Sequence, residues 1–479
     1  MKKHYFILIA CIASLFFSCK KDNSNSSDDE YVNKWIHREM SSYYLWNTKI
    51  PSRPNYTLPP EEFFKSLLYN KGQITGDRFS WIQENFVDLL NSLSGVTSYD
   101  IGFEYVGYRK AEGSTEVIGQ IAYVKPNTDA ERMGLKRGVY FTKVNGEALN
   151  TTNWRNLLSR DETSATIAFA STFENAKIGA TTNKTVKKMT NYAENPVFFN
   201  EVFEVNGHKI GYLVYNFFAS GPTQGDYSYD KKLNDVFGKF KSAGITELIL
   251  DLRYNNGGSM NSATLLGSMI VPGLNANNVF TKLEYNSWVQ AELIKEYGED
   301  ALIDKLRDKL DTGEAINNVG DAIQKLYVLK GNWTASASEM VINGLKPYMQ
   351  GKPVFLIGIP TVGKNVGSFS IYEKDDPKNK WGMQPIVLRY FNKEGTADFL
   401  TGFTPDIYEE DNRDKLELGD QDECMLKIAI NHITGNDVSA SLRSGVSGRV
   451  SLGSSIEQKA WANKAIVDGS LLKKLNIKH

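Results

Sequence analysis

The feature that most constrains the fold is an alternation of short apolar strands and amphipathic helices between about residues 196 and 415. Strands are expected at 210–214, 247–252 and 354–357, and a helix at 231–240. Such alternation is typical of a largely parallel sheet with helices packed on it, because parallel strands need a crossover that is usually a helix. The sequence therefore predicts an α/β layer here, within a chain of the α+β multidomain class.

The chain before this layer has two other patterns. Between 31 and 95, apolar and aromatic residues recur at helical spacing, which predicts a helical N-terminal domain. Between 100 and 172, short strands alternate with glycine-containing turns such as Asn145-Gly146. A helix is expected to start at 154–158. The chain contains no internal repeat that would indicate a solenoid.

Two further segments adjoin the layer. Residues 288–329 are rich in Glu, Lys and Leu, which predicts a charged helical insertion or lid. The layer and its final helix together are expected to span 196–435. The tail 436–479 is Ser/Gly-rich and then helical in pattern, and no role for it follows from the sequence.

The N-terminus indicates export. Two lysines precede an apolar run that ends at Ser18, so residues 1–18 read as a signal peptide, too short to span a membrane comfortably. Residues 15–19 resemble a bacterial lipobox, which would place a lipid on Cys19; an ordinary or uncleaved signal is the alternative. Residues 19–30 are polar and predict a flexible tether. We therefore expect a protein of the cell envelope, periplasmic or associated with the outer membrane, held there by a lipid anchor.

Composition excludes several classes of function. A formal net charge of −1 offers no basic excess for nucleic acid. The three cysteines include only Cys424 in the predicted globular part, so no disulfide framework is available. None of the five histidines has the neighbours of a catalytic base, and no HExxH or paired His/Cys pattern is present. We expect no metal and no organic cofactor.

Three segments carry candidate chemistry. Strand 247–252 runs into Asn255-Asn256-Gly257-Gly258, where the glycines allow a sharp turn and leave amides that could stabilise an oxyanion. Ser336 is expected at the start of helix 337–345, where free amides favour an anion. The alternative for Ser336 is a helix cap, with Glu339 as its capping-box partner.

Lys364 provides a base in a chain with few histidines. A buried lysine can take the proton of a serine hydroxyl, so Ser336 and Lys364 together suggest a Ser-Lys hydrolase. The segment 358–364 also has the spacing of a phosphate-binding loop. However, Asn365 stands where a Ser or Thr would bind magnesium, and 366–372 alternates like a strand instead of opening a helix.

The order of segments 251–258, 336–339 and 361–364 resembles that of the C-terminal processing peptidases, also called tail-specific proteases. These share their catalytic core with the tricorn protease, and the lipobox-like start is similar to that of Bacteroidetes lipoprotein members. Residues 77–80 and 402–406 support the resemblance, which extends to about Gly435. It implies a crotonase-like peptidase core with Ser336 as nucleophile, Lys364 as general base, and the amides of Gly258 and Ala337 as oxyanion hole.

Residues 100–172 resemble a PDZ domain. The resemblance implies that Ile101, Gly102 and Phe103 bind the terminal carboxylate of a peptide, which adds as a strand. A PDZ-shaped spacer that binds nothing is the alternative.

The sequence departs from the C-terminal processing peptidases at one position. Many members of that family have a glutamine four residues after the lysine, and this position is Ser368 here.

The sequence thus predicts a serine endopeptidase that cuts exported proteins or peptides, with possible recognition of their C-terminal tails. The main alternative is a catalytically silent relative that binds peptides without cutting them. Ser368 is a candidate third catalytic residue, with shorter reach than glutamine.

Overall fold

The computed structural model describes residues 25–160, 162–411, 415–436, 450–459, 464–467, 469 and 475. Residues 1–18 and the predicted lipidation site Cys19 lie outside this part of the chain. Within the described residues, no helix combines the length and apolar character needed to cross a membrane. The expected tether is shorter than predicted, because the first helix already begins at Asn25. Its Ser- and Asp-rich start is compatible with a helix N-terminus, where such residues are favoured.

Nine α-helices are present in the described ranges. They are α1 (Asn25–Tyr43), α2 (Pro60–Ser66), α3 (Phe86–Leu93), α4 (Asp129–Arg132), α5 (Ser228–Ala243), α6 (Met260–Ile270), α7 (Ser287–Tyr297), α8 (Ala337–Leu345) and α9 (Cys424–Thr434). Short 3₁₀ helices lie at Asn47–Lys49, Glu299–Leu302 and Ile456–Gln458. The first three α-helices form the N-terminal helical domain.

Eleven strands precede the α/β region. They are β1 (Trp81–Gln83), β2 (Val96–Asp100), β3 (Phe103–Arg109), β4 (Val117–Val124), β5 (Tyr140–Val144), β6 (Glu147–Ala148), β7 (Ser164–Ala170), β8 (Phe173–Glu174), β9 (Lys177–Ile178), β10 (Thr182–Lys187) and β11 (Met189–Ala193). Five of them form an antiparallel sheet in the order β10-β7-β5-β4-β3, with β6 paired to β5. We call residues 96–193 the antiparallel domain. The turn predicted at Asn145-Gly146 is confirmed, since both residues have positive φ between β5 and β6.

The remaining strands build the α/β core and the tail. They are β12 (Val197–Val205), β13 (His208–Tyr215), β14 (Glu247–Asp251), β15 (Gly257–Ser259), β16 (Val279–Tyr285), β17 (Ile303–Lys305), β18 (Lys325–Lys330), β19 (Val354–Gly358), β20 (Val366–Ser368), β21 (Ile371–Tyr372), β22 (Gly382–Gln384), β23 (Ile386–Asn392), β24 (Ile407–Tyr408), β25 (Ser451–Ser454) and β26 (Lys464–Ile466). One sheet has the order β12-β13-β14-β18-β19-β24, parallel from β13 onward. The predicted α/β layer is thereby confirmed.

Side-chain alternation along the parallel strands separates two hydrophobic clusters. On β14, Leu248 and Leu250 belong to the cluster that includes residues of α5, α6 and α8, whereas Ile249 belongs to the cluster with α9. Successive residues of a strand point to opposite faces, so a strand buried on both faces reads as a continuous apolar run. Apolar side chains of α1 and α2 join the first cluster, which packs the N-terminal domain against the core.

Several local predictions were wrong. Residues 288–329 are helical only in α7 and the following 3₁₀ turn; β17, irregular chain and β18 follow. The expected helix at 154–158 is instead a run of hydrogen-bonded turns, in which Leu157 N–H donates to Asn153 O at 3.2 Å. The tail is not helical where it is described, but forms β25, a 3₁₀ turn and β26. Charge and Leu content do not distinguish a surface helix from a surface loop when no packing face is defined.

Both tail strands join sheets of the body. β25 pairs antiparallel with β3 at the edge of the antiparallel domain. β26 lies in a second core sheet of order β15-β26-β20-β23-β16-β17, parallel to β15. Smaller sheets pair β1 with β22 and β2 with β11.

Candidate active site

Ser336 occupies a strained position immediately before α8. Its φ of 62° and ψ of −114° are unusual for a residue with a side chain, and such backbone costs about 1–3 kcal/mol. The residue is fully buried. Its side chain lies over the first turn as in a capping box, yet Oγ makes no hydrogen bond of ordinary geometry to a described residue. A buried hydroxyl without a partner is costly, which argues against a purely structural cap.

Glu339 connects the serine segment to the lysine segment. Its Oε2 accepts the N–H groups of Ser336 and Lys364, each at 2.8 Å. Its Oε1 accepts the Gly363 N–H at 2.7 Å and the Thr361 hydroxyl at 2.6 Å. One carboxylate oxygen therefore holds the backbones of Ser336 and Lys364 together. Burial raises the pKa of Glu339, and these four hydrogen bonds oppose the rise.

Tyr390 adds a second link between the same two residues. From β23, its hydroxyl lies 3.0 Å from Ser336 O and also contacts Lys364 O. Burial raises the pKa of Tyr390 well above its ordinary value, so the phenol stays protonated and donates. The serine and lysine backbones are thus joined at their amides by Glu339 and at their carbonyls by Tyr390.

The N-terminal domain covers Lys364. The Phe79 ring centroid lies 5.1 Å from Lys364 Nζ, and Arg78 Nη2 donates to Gly363 O at 2.6 Å. Asp77 holds this loop by accepting the N–H groups of Phe79 and Ser80. Lys364 is fully buried, so its head group is shielded from bulk water.

A second buried lysine in the core differs in its partners. Lys330 Nζ donates to the carbonyls of Ile359 and Phe403 at 2.7 and 2.9 Å. Burial lowers the pKa of Lys330 to about 8. Because its head group is bound to backbone oxygens, its role is to hold together the loops that follow β19 and β23.

The glycine turn after β14 is fixed against the serine segment. Asn255 O accepts the Ser338 hydroxyl at 3.0 Å and the Ala335 N–H at 3.2 Å. Gly258 has a φ of 132°, and a Cβ there would overlap the Phe218 carbonyl oxygen. Glycine is therefore required at this position on grounds of both conformation and space.

The two predicted oxyanion donors lie on elements that pack together. Gly258 is in β15, and Ala337 is the first residue of α8, which packs against β15. The N–H of Ala337 is among those that a helix leaves without an intrahelical acceptor. The first turn of α8 also carries the positive end of the helix dipole.

The other predicted residues have different surroundings. Ser368 is fully buried in β20, and its Oγ lies 3.5 Å from Gln384 Oε1. Because β20 follows Lys364 directly, no helix opens there, and the geometry of a phosphate-binding loop is absent from this described segment. At the start of the antiparallel domain, the Gly102 N–H already donates to Asp100 Oδ1 at 2.8 Å.

Sequence reasoning missed three residues that surround the pair. Glu339 was considered only as a capping partner, while Tyr390 and Phe79 were assigned no role. The capping-box spacing of Ser336 and Glu339 was a local signal for the first. Tyr390 and Phe79 reach the site through long-range packing, which one sequence does not reveal.

Comparisons with known families identify the family of the chain. The family described as "Peptidase family S41" matches residues 209–409, and "Peptidase S41 N-terminal domain" matches residues 31–81. The chain belongs to peptidase family S41. Members of this family are serine proteases, and the S41 assignment confirms the resemblance inferred from the three motif segments.

Solved structures resemble the chain to different degrees. A Bacteroides fragilis protein described as a candidate S41 protease is 28% identical, with a TM-score of 0.66, over 84% of this chain and 97% of that one. The photosystem II D1 C-terminal processing protease is 17% identical, with a TM-score of 0.45, over 80% and 93%. Mature CPAF is 13% identical, with a TM-score of 0.39, over 80% and 92%. No curated protein matches the chain.

Proposed function

We propose that this S41 family member is a serine endopeptidase that uses Ser336 as nucleophile and Lys364 as general base. The observation that carries the proposal is the sharing of Glu339 Oε2 by the amides of both residues, next to a Ser336 hydroxyl that has no hydrogen-bond partner among the described residues. A preorganised nucleophile and base give the reaction its orientation, which is a large part of enzymatic rate enhancement.

The chemistry follows from these positions. Neutral Lys364 takes the proton of Ser336 as Oγ attacks the peptide carbonyl carbon, and the amides of Gly258 and Ala337 stabilise the resulting oxyanion. When the intermediate collapses, the C–N bond breaks and Lys364 gives its proton to the departing amine. Lys364 then deprotonates a water molecule, which attacks the acyl-enzyme and releases the carboxylic acid. Acylation thus returns Lys364 to its neutral form while Ser336 carries the acyl group. In deacylation the protonated Lys364 gives its proton to Ser336 Oγ as the ester C–O bond breaks, which restores both groups.

Three parts of the surroundings support the reaction. The Phe79 ring lies over Lys364 Nζ and limits the access of water to the lysine head group. Glu339 and Tyr390 fix the two backbones and act as positioning residues. We propose that Ser368 contributes only indirectly, through its contact with Gln384.

We further propose that the antiparallel domain is PDZ-like and selects substrates by their C-terminal tails at Ile101, Gly102 and Phe103. A peptide would add as a strand to the edge of β3, with main-chain hydrogen bonds supplying affinity. The substrates would be exported proteins, and a lipid on Cys19 would keep the enzyme at the cell envelope.

The test is hydrolysis of unfolded protein by the purified mature chain, with chelator present and nucleotide omitted. Ser336→Ala and Lys364→Ala are each expected to reduce the rate at least about a thousandfold, because removal of either member of such a pair removes most of the catalysis. Matched controls are Ser268→Ala and Lys352→Met. Ser268 donates to Thr264 O within α6, and Lys352 binds three backbone carbonyls away from the site. Both control variants should retain activity when folded.

The alternative is a silent peptide-binding relative. It predicts that the parent chain hydrolyses none of a varied set of unfolded proteins, yet binds peptides equally well with Ser336 or Ala at this position. Hydrolysis that persists in Ser336→Ala would contradict the proposed nucleophile. Loss of hydrolysis on adding chelator would contradict the proposed metal-free mechanism.

A further inference from the structure

The tail of the chain occupies the edge of the antiparallel domain to which a peptide would add. β25 runs antiparallel to β3, with Ser451 opposite Tyr108 and Ser454 opposite Val106. Beyond β25, the Ser455 N–H donates to Tyr105 O at 2.9 Å. The tail therefore progresses along β3 toward its N-terminal end, where the 101–103 loop lies.

Side-chain contacts fix the tail on this edge. Arg155 Nη2 donates to Leu452 O at 2.8 Å, and the Leu452 side chain packs against the hydrophobic cluster of the antiparallel domain. Lys459 Nζ lies 2.9 Å from Glu104 Oε1, and the Ser455 hydroxyl donates to the same carboxylate. This is β-strand addition with anchoring side chains, the mode of peptide recognition that uses a sheet edge.

Further along, the tail enters the core sheet beside the candidate active site. In β26, Ala465 is opposite Gly258 of β15, and Ile466 is opposite Ser368 of β20. The Val467 N–H donates to Ser368 O at 2.9 Å. Ala465 is fully buried.

β26 is what joins these two catalytic strands. In the sheet order, β26 stands between β15, which carries an oxyanion donor, and β20, which follows the lysine. Strand edges with unpaired backbone groups readily accept an extended chain. An external peptide extended past Gly258 would need the position that β26 fills.

From these contacts we propose that the tail segment, residues 450–459 and 464–467, is an intramolecular ligand of the substrate path. β25 occupies the peptide edge of the antiparallel domain, and β26 occupies the cleft between β15 and β20. An external substrate binds only after the tail has left. The inference rests on the proposed function in one respect, since that function identifies this path as the route of the substrate.

Competition should be strong because the tail is tethered. A linked segment acts at an effective concentration of the order of millimolar, so even a weak contact excludes external peptides. Only a small side chain fits at position 465, because Ala465 is fully buried beside the Gly258 turn. A charged residue at 465 should therefore expel β26 while leaving the rest of the path intact.

The experiment measures binding, without catalysis, to the full mature chain carrying Ser336→Ala. The probe is a fluorescein-labelled peptide with the sequence of residues 450–467, followed by fluorescence anisotropy. Adding Ala465→Glu is expected to tighten probe binding at least about tenfold, because the competing tail is displaced. The matched control is Val450→Glu, at a residue that is 50% exposed just before β25, and it should leave the affinity unchanged. Equal affinities for the Ala465→Glu and parent chains, with both folded by circular dichroism, would overturn the proposal.

A second variant tests the proposal independently, in case Ala465→Glu does not fold. Leu452→Glu loosens β25 at a half-buried position and should also tighten probe binding, by a smaller factor. If Ala465→Glu fails to fold and Leu452→Glu leaves the affinity unchanged, the tail is a structural strand and the proposal fails.

Hydrolysis separates this proposal from the proposed function. With Ser336 restored, Ala465→Glu should cut an unfolded protein about tenfold faster than the parent at low substrate concentration. Probe binding that changes as expected in chains that never hydrolyse would uphold tail occupancy and remove the peptidase assignment. Hydrolysis that depends on Ser336 but is unaffected by both tail variants would uphold the peptidase assignment and overturn tail occupancy.

Discussion

Two clusters of buried charge differ in how their carboxylates are satisfied. At the junction with the antiparallel domain, Glu423 accepts two hydrogen bonds from Arg253, at 2.5 and 3.0 Å. Arg137 contacts Asp411 at 2.5 Å in the same cluster. Burial opposes ionisation of Glu423, but the Arg253 charge outweighs it and its pKa is lowered. In the candidate active site, the described groups that donate to Glu339 are all neutral, and burial raises its pKa.

The difference indicates which cluster serves stability and which serves reaction. At the junction, each carboxylate is paired with a cation and both arginines are fully buried, so the arrangement resists change. At the site, a strained serine with an unpartnered hydroxyl is held beside a buried lysine. Strain and unsatisfied groups persist where the surrounding structure enforces them, and they mark reactive positions.

Arg137→Met should break the junction cluster with the largest effect on stability. The change removes one cation from Asp411, which keeps Lys415 and Arg253 as partners. It also leaves the carbonyls of Ala122 and Leu416 without their Arg137 donor, so the free energy of unfolding should fall by about 3–5 kcal/mol. Urea denaturation measures this loss. Below the unfolding transition, kcat/KM should stay close to the parent value, and loss of activity without loss of stability would contradict the division of roles.

Asp230→Asn should remove a pH dependence of the free energy of unfolding that arises outside both charge clusters. Asp230 Oδ1 has no hydrogen-bond partner among the described residues, and burial raises the pKa of Asp230 to about 7. Because this exceeds the unfolded value, its contribution to stability is complete below about pH 4 and is lost as the pH rises through about 7. Between pH 5 and 8 the parent should therefore lose about 2–3 kcal/mol more of its free energy of unfolding than the variant does. Identical pH profiles in urea denaturation would refute this.

Glu339→Gln should separate positioning from folding at the site. An amide NH₂ cannot accept the N–H groups of Ser336 and Lys364, so one of the two backbones should shift. The expected result is a kcat lower by about a hundredfold with KM little changed, since small displacements of catalytic groups have effects of this size. Glu292→Gln, on the surface of α7, is the matched control. A fall in activity that only parallels a fall in the folded fraction would assign Glu339 a structural role.

Tyr390→Phe should have the smallest effect. It removes one hydroxyl that contacts the carbonyls of Ser336 and Lys364 but leaves the Glu339 bonds in place. We expect kcat to fall about tenfold, in line with about 1.4 kcal/mol. A pH profile of kcat with an unchanged shape would agree with a positioning role, whereas a shifted profile would mean that the phenol itself takes part in proton transfer.

The local part of the site was predictable from the sequence. Helix α8 starts directly after Ser336 as expected, because small residues and a capping-box glutamate precede an apolar helical face. The glycine turn after β14 also follows its pattern. These features depend on neighbours within a few positions along the chain.

The residues that cover the site could not be predicted from the sequence. Phe79 approaches Lys364 from another domain, and β26 joins the core sheet from the end of the chain. A three-residue strand is too short for its hydrophobic alternation to be recognised. Strand pairing between residues distant in sequence cannot be inferred from a single sequence. In the described part of the tail, β25 and β26 stand where a helical pattern was expected, since tertiary pairing outweighs local propensity.

The most direct test of the central claim, that Ser336 is the nucleophile, is to look for the covalent intermediate. The full chain would be mixed briefly with an activated peptide ester, quenched in acid, digested and analysed by mass spectrometry. We expect one acyl group on the fragment containing Ser336 in the parent chain and none in Ser336→Ala. An acyl group on another residue, or turnover by Ser336→Ala at the parent rate, would contradict it.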